Sequence, residues 1–161
     1  MRASLYLALF LLVAAPALAD PAADAKAHSD AFARAMKARD VAAVVALYAD
    51  DAHVIWPGQG EEAKGKAQIK KLVENSLRTA GPDSSPVLVS QEVVSLGNGN
   101  IATIGQWEQV VKGPDGKSET LHVRTSEIIE KVGNKTLYVV DHASIGLPPP
   151  PADTGGASPT P

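Results

Sequence analysis

Near Pro86 the hydrophobic pattern of the chain changes from a helical period to an alternating one. Four alternating segments follow, VLVSQEVVSL, IATIGQWEQVV, ETLHVRTSEIIEKV and TLYVVDHASIG. They are joined by Gly97-Asn98-Gly99-Asn100, Gly113-Pro114-Asp115-Gly116 and Gly133-Asn134. Such joints supply the left-handed backbone that tight hairpins need. Short joints leave no room for a crossover, so the four segments are expected as an antiparallel meander.

Upstream the period is helical. In ADAKAHSDAFARAMKAR, Ala27, Ala31, Phe32, Ala35 and Met36 recur at helical spacing. Asp40 can cap a second, short helix, VAAVVALYA, after which Ala52 to Trp56 reads as a short strand. Pro57-Gly58-Gln59-Gly60 is a turn-rich loop. A third helix, KAQIKKLVENSLRTA, carries an apolar stripe of Ile69, Leu72, Val73 and Leu77 and stops at Gly81-Pro82. Helices first and hairpins second give an α+β class, a curved antiparallel sheet packed against three N-terminal helices.

The two ends do not belong to this unit. Arg2, the apolar run Leu5 to Val13 and Ala17-Leu18-Ala19 form a secretory signal pattern over residues 1–19, with cleavage expected between Ala19 and Asp20. The expected destination is the periplasm or the exterior, with no membrane contact after cleavage. Residues 148–161 are rich in Pro, Gly and small polar residues, a composition that cannot bury enough apolar surface to order itself. One domain over residues 20–147 remains. The chain holds no cysteine, which excludes disulfides and thiolate chemistry. Its formal net charge of -3 argues against nucleic acid. Asn134-Lys135-Thr136 matches a glycosylation sequon within a hairpin turn and carries little weight.

Local motifs resemble the nuclear transport factor 2-like superfamily, especially its SnoaL-like and ketosteroid-isomerase-like branches. Arg39-Asp40-Val41 through Leu47-Tyr48-Ala49-Asp50-Asp51-Ala52 is similar to that family's signature, and Pro57-Gly58 and Gly65-Lys66 match its continuation into the third helix. Leu137 to Ser144 resembles the closing strand of small secreted members and of the calcium/calmodulin kinase association domain. The resemblance implies a cone-shaped sheet with a pocket inside it. It also implies that an exposed sheet face pairs with a second copy, so a homodimer is expected.

Ketosteroid isomerases of this fold use a carboxylate base directly before the proline, a tyrosine on the first helix and a protonated aspartic acid on a later strand. Here Trp56 and Phe32 occupy the first two positions, so steroid isomerisation is not expected; gaps in the strands leave the third position unplaced. Candidate ligand contacts are Trp56 and Trp107, which can stack on a flat molecule, Arg124, which can clamp a carboxylate, and His142. On the last strand Tyr138, Val140, His142 and Ser144 form one alternating set, which would place His142 and Ser144 in an apolar wall. His142, or else His53, is the candidate acid–base residue. His122 and His142 on neighbouring strands could hold a metal with Glu108 or Asp141. The four histidines lack any ligand-pair spacing, however, and neither metal nor cofactor is expected. Three roles are compatible with these residues: an exported module binding a small apolar or carboxylated molecule and self-associating through its sheet, a small isomerase, lyase or cyclase, and a ligand-free dimerisation domain.

Overall fold

Asp20 and Asp40 set where the chain enters its first two helices. The structure, a computed structural model, describes residues 20–57, 61–82, 84–112, 115–133 and 135–146. The expected signal, the whole proline-rich tail and Asn134 of the sequon lie outside the described residues. The Asp20 carboxylate accepts from the amides of Ala22 and Ala23 at 3.0 and 3.3 Å and Pro21 follows, the usual chemistry of a helix start, to open α1 (Pro21–Lys37). Asp40 accepts from the Ala43 amide at 2.9 Å and opens α2 (Val41–Ala46).

The remaining elements are β1 (Tyr48–Trp56), β2 (Glu61–Lys64), α3 (Gly65–Ala80), β3 (Pro86–Gly97), β4 (Asn100–Lys112), β5 (Ser118–Val132) and β6 (Lys135–Ile145). The stripe of Ile69, Leu72, Val73 and Leu77 on α3 is buried. Gly65 sits at φ 73, and a Cβ there would lie 3.0 Å from the Asp50 carbonyl oxygen, so this turn into α3 calls for glycine.

The α+β class holds, and the sheet is larger than a four-stranded meander. Six strands run in the order β2-β1-β6-β5-β4-β3. β1 pairs parallel with β6 and so adds the first half of the chain to the hairpins of the second. Strand structure starts at Tyr48, where the sequence suggests the end of a helix, because Tyr48 pairs with Tyr138. β2 is too short and charged to show an alternating pattern by itself, yet Glu61–Lys64 pairs antiparallel with β1. α1 packs against β3 and α3 against β1. The core between the layers holds Tyr48, Val54, Ile69, Val73, Ile101, Ile129 and Tyr138, all essentially without solvent contact. Among the described residues no helix is long and apolar enough to cross a membrane.

One irregularity governs which side chains of β6 face inward. Ile128 pairs with Val140 and Ile129 with Tyr138, so Val139 is an extra residue, a β-bulge. A bulge resets the alternation of a strand. Tyr138 faces the core before it, and Asp141 and Ala143 face the core after it.

Candidate functional site

A cavity of about 270 Å³ lies between the helices and the inner face of the sheet. One end is formed by half-buried or exposed residues, Thr79 and Ala80 at the end of α3, Pro86 at the start of β3 and Val111 on β4. The other end is buried and aromatic. Phe32 on α1 makes edge-to-face contacts with Trp56 (centroids 6.0 Å apart), Trp107 (5.9 Å) and Tyr138 (6.3 Å). Edge-to-face packing holds the rings at steep angles to one another, a rigid apolar frame for a flat molecule.

Two carboxyl groups stand in this frame. Glu127 on β5 and Asp141 on β6 are direct cross-strand partners, both facing inward and only 4% exposed. Asp141 Oδ2 accepts from the Tyr48 hydroxyl at 2.6 Å and from the Trp56 indole N–H at 2.8 Å. The Thr103 hydroxyl donates to Glu127 Oε2.

Burial pushes the Asp141 carboxyl above the usual range, an effect the Tyr48 and Trp56 hydrogen bonds oppose. Burial, reinforced by the Asp141 charge beside it, pushes Glu127 up to about 7. Like charges directly opposite on neighbouring strands repel, so the pair is most stable when it retains a proton. Asp141, with two donors, is the better seat for the negative charge, and Glu127 is the better seat for the proton. The Tyr48 hydroxyl is held well above its ordinary range by burial and by Asp141, so it stays a donor. Among the described residues no lysine, arginine or histidine lines the cavity.

The four residues singled out in the sequence divide between the two faces of the sheet. Trp56 and Trp107 line the cavity. Arg124 and His142 do not: both are exposed on the outer face, where Arg124 pairs in register with Ser144 and Ser126 with His142. The cause for His142 is the bulge at Val139, which separates it from the inward Tyr138. For Arg124 it is simple alternation, since Val123, Thr125, Glu127 and Ile129 take the inward positions of β5. His53 is also exposed, on the outer side of β1. Glu108 meets His122 at 3.5 Å. Among the described residues no group of three metal-ligating side chains comes together.

Glu127 was not among the residues the sequence points to as site candidates, and Asp141 entered only as a partner of His122 and His142 at a metal site. A signal for them existed. The more apolar alternating set of the last strand, Leu137, Val139, Ala143 and Ile145, contains Asp141, and the inward set of β5 fixed by Val123 and Ile129 contains Glu127.

Arg39 positions the outer end of the cavity. It sits at φ 55 just after α1 and donates to the Gly81 and Leu77 carbonyls at 2.9 and 2.6 Å. Those carbonyls belong to the end of α3, where a cation is favoured by the helix dipole.

Solved structures share this architecture. A candidate calcium/calmodulin-dependent protein kinase II association domain from Xanthomonas campestris superposes with a TM-score of 0.70 at 22% identity, over 83% of this chain and 93% of that one. A ketosteroid isomerase-like protein from Erwinia carotovora atroseptica gives 0.66 at 21% identity, over 78% and 96%. A candidate dehydratase of the NTF2-like family from Streptomyces avermitilis gives 0.69 at 14% identity, over 80% and 98%. At these identities the likeness establishes the fold. No curated protein matches the chain by sequence. The SnoaL-like domain model does match, over residues 29–132, a span running from α1 to the end of β5 and taking in both tryptophans and Glu127. On that match and this architecture, the chain belongs to the SnoaL-like domain family, within the NTF2-like fold.

Proposed function

We propose that the domain binds a small, flat, uncharged and largely apolar molecule in the cavity. Glu127, beside Asp141, is then the residue that moves a proton there, in chemistry of the isomerase or dehydratase type. The observation that carries this reading is a pair of buried carboxyls in an aromatic cavity that no cation lines among the described residues. A carboxylated ligand, the other class the sequence allows, would bring a third negative charge beside the pair without Arg124 to balance it. A group whose proton is held near neutrality can both give and take it, the property general acid–base catalysis needs. His142 and His53, the histidines considered for that role, face away from the cavity. The ketosteroid isomerase-like and candidate dehydratase relatives fit this type of chemistry.

The test is a pair of ligands of one shape and different charge, 2-naphthol and 2-naphthoate, followed by the fluorescence of Trp56 and Trp107. At about pH 8 the uncharged naphthol should bind at least about tenfold more tightly, because the carboxylate adds like charge beside the Glu127–Asp141 pair. Tighter binding of the naphthoate would overturn the reading.

A second reading concerns the outer face of the sheet. Ile55, Ile104 and Val140 are 44%, 53% and 38% exposed there, interspersed with His142 and Arg124. An aliphatic face of this kind favours pairing of two copies, and we propose a homodimer formed through it. Sedimentation equilibrium should find a dimer that the Ile104→Glu substitution dissociates; a wild-type protein that is monomeric at high concentration would remove the proposal.

A further inference from the structure

Three features of the inner sheet face converge on one point. Gly105 on β4 pairs in register with Thr125 on β5, and Trp107 lies two residues further along the same face of β4. A Cβ on Gly105 would fall 2.4 Å from Thr125 Oγ1 and 2.9 Å from Trp107 Nε1. The missing side chain of Gly105 therefore leaves room for an indole N–H and a hydroxyl to approach the same small volume. Trp107 and Thr125 are 5% and 7% exposed, and both line the cavity. Neither polar atom has a hydrogen-bond partner among the described residues. Thr125 stands close enough to Glu127 to moderate its charge, yet its hydroxyl makes no hydrogen bond of normal geometry.

Leaving two buried polar groups unpaired costs stability, so such pairs are kept where something satisfies them. The indole N–H can only donate, and the threonine hydroxyl can donate as well. Two donors facing one volume suit an oxygen with two lone pairs. Thr125 and Glu127 are two residues apart on one strand, about 7 Å between their Cα atoms. An oxygen held at the donors would thus place its neighbouring carbons beside the Glu127 carboxyl. Among uncharged molecules, a ketone or aldehyde has that acceptor and the acidified neighbouring C–H that a carboxyl could exchange.

We propose that Trp107 Nε1, Thr125 Oγ1 and the bare backbone of Gly105 form a subsite for the carbonyl oxygen of the ligand. The subsite is a specificity element of the cavity site and rests on the reading that this cavity takes uncharged apolar molecules.

The probes are 1-tetralone and tetralin, two bicyclic molecules of one frame that differ by the carbonyl. Binding is followed by calorimetry and by the indole N–H resonance of Trp107 in proton–nitrogen correlation spectra. The wild-type protein should prefer the ketone by about tenfold or more, as one to two well-formed hydrogen bonds imply. The ketone alone should move the Trp107 N–H resonance downfield. Thr125→Val should reduce the preference to below about threefold, and Thr125→Ser should restore it. Trp107→Phe keeps the aromatic wall and should show the same loss. If Trp107→Phe does not fold, the threonine variants and the wild-type resonance still decide. Equal affinity for both probes would overturn the subsite and leave the cavity reading standing. Binding of neither probe would overturn both.

Discussion

Glu127 is the buried carboxyl on which the proposed proton transfer rests, and its environment makes a definite claim about stability. Its carboxyl goes from an ordinary value of 4.5 to about 7 because burial and Asp141 disfavour the charged form. A folded-state value above the unfolded one means that the native state holds the proton more tightly. Its contribution is therefore fully present below about pH 4.5 and is lost as the pH rises through about 7. Glu127→Gln keeps the shape and cannot ionise. The variant should gain on the wild type by up to about 3 kcal/mol between pH 5 and pH 8, measured by urea unfolding at both. An unchanged difference at the two pH values would contradict the assignment. His28 works in the opposite direction. Burial lowers it to about 4, so its contribution is present above about 6.5 and lost as the pH falls towards 4. The replacement therefore has to be read at Glu127 alone, as a difference between variant and wild type.

At the scale of elements, the sequence was readable where one element follows its own rule. Asp40 announces its helix, the α3 stripe announces its buried face, and the glycine-rich joints announce the hairpins. Pairings that depend on distant partners were not readable. The start of β1 at Tyr48 is decided by Tyr138, ninety residues away in sequence. The bulge at Val139 is decided by how β6 meets β5, and it carried His142 away from the cavity and brought Asp141 into it beside an inward Tyr138. Trp56 and Trp107 were recoverable because a tryptophan in a strand of this composition has few places to go but the core. Arg39 belongs to this scale as well. By satisfying the Leu77 and Gly81 carbonyls it holds the end of α3 against the cavity. Arg39→Ala should cost about 1–2 kcal/mol and speed amide exchange in the last turn of α3. Full stability and unchanged exchange would show that α3 ends without it.

For the molecule as a whole, the two faces of one sheet have separate characters. The inner face, closed by three helices, presents an aromatic frame, two carboxyls and two unpaired donors. The outer face presents aliphatic side chains with Arg124 and His142. A single alternating strand can serve both because its neighbours point in opposite directions, and a single bulge decides which residue serves which. The central claim is that the inner carboxyl pair keeps a proton near neutrality in an apolar cavity. It is tested most directly by carbon-13 spectra of the side-chain carboxyls of Glu127 and Asp141, followed through a pH titration of the wild-type protein. The account predicts that Glu127 titrates near 7 and that Asp141 senses the same step. Two independent midpoints near the ordinary carboxylate value of about 4 would contradict it.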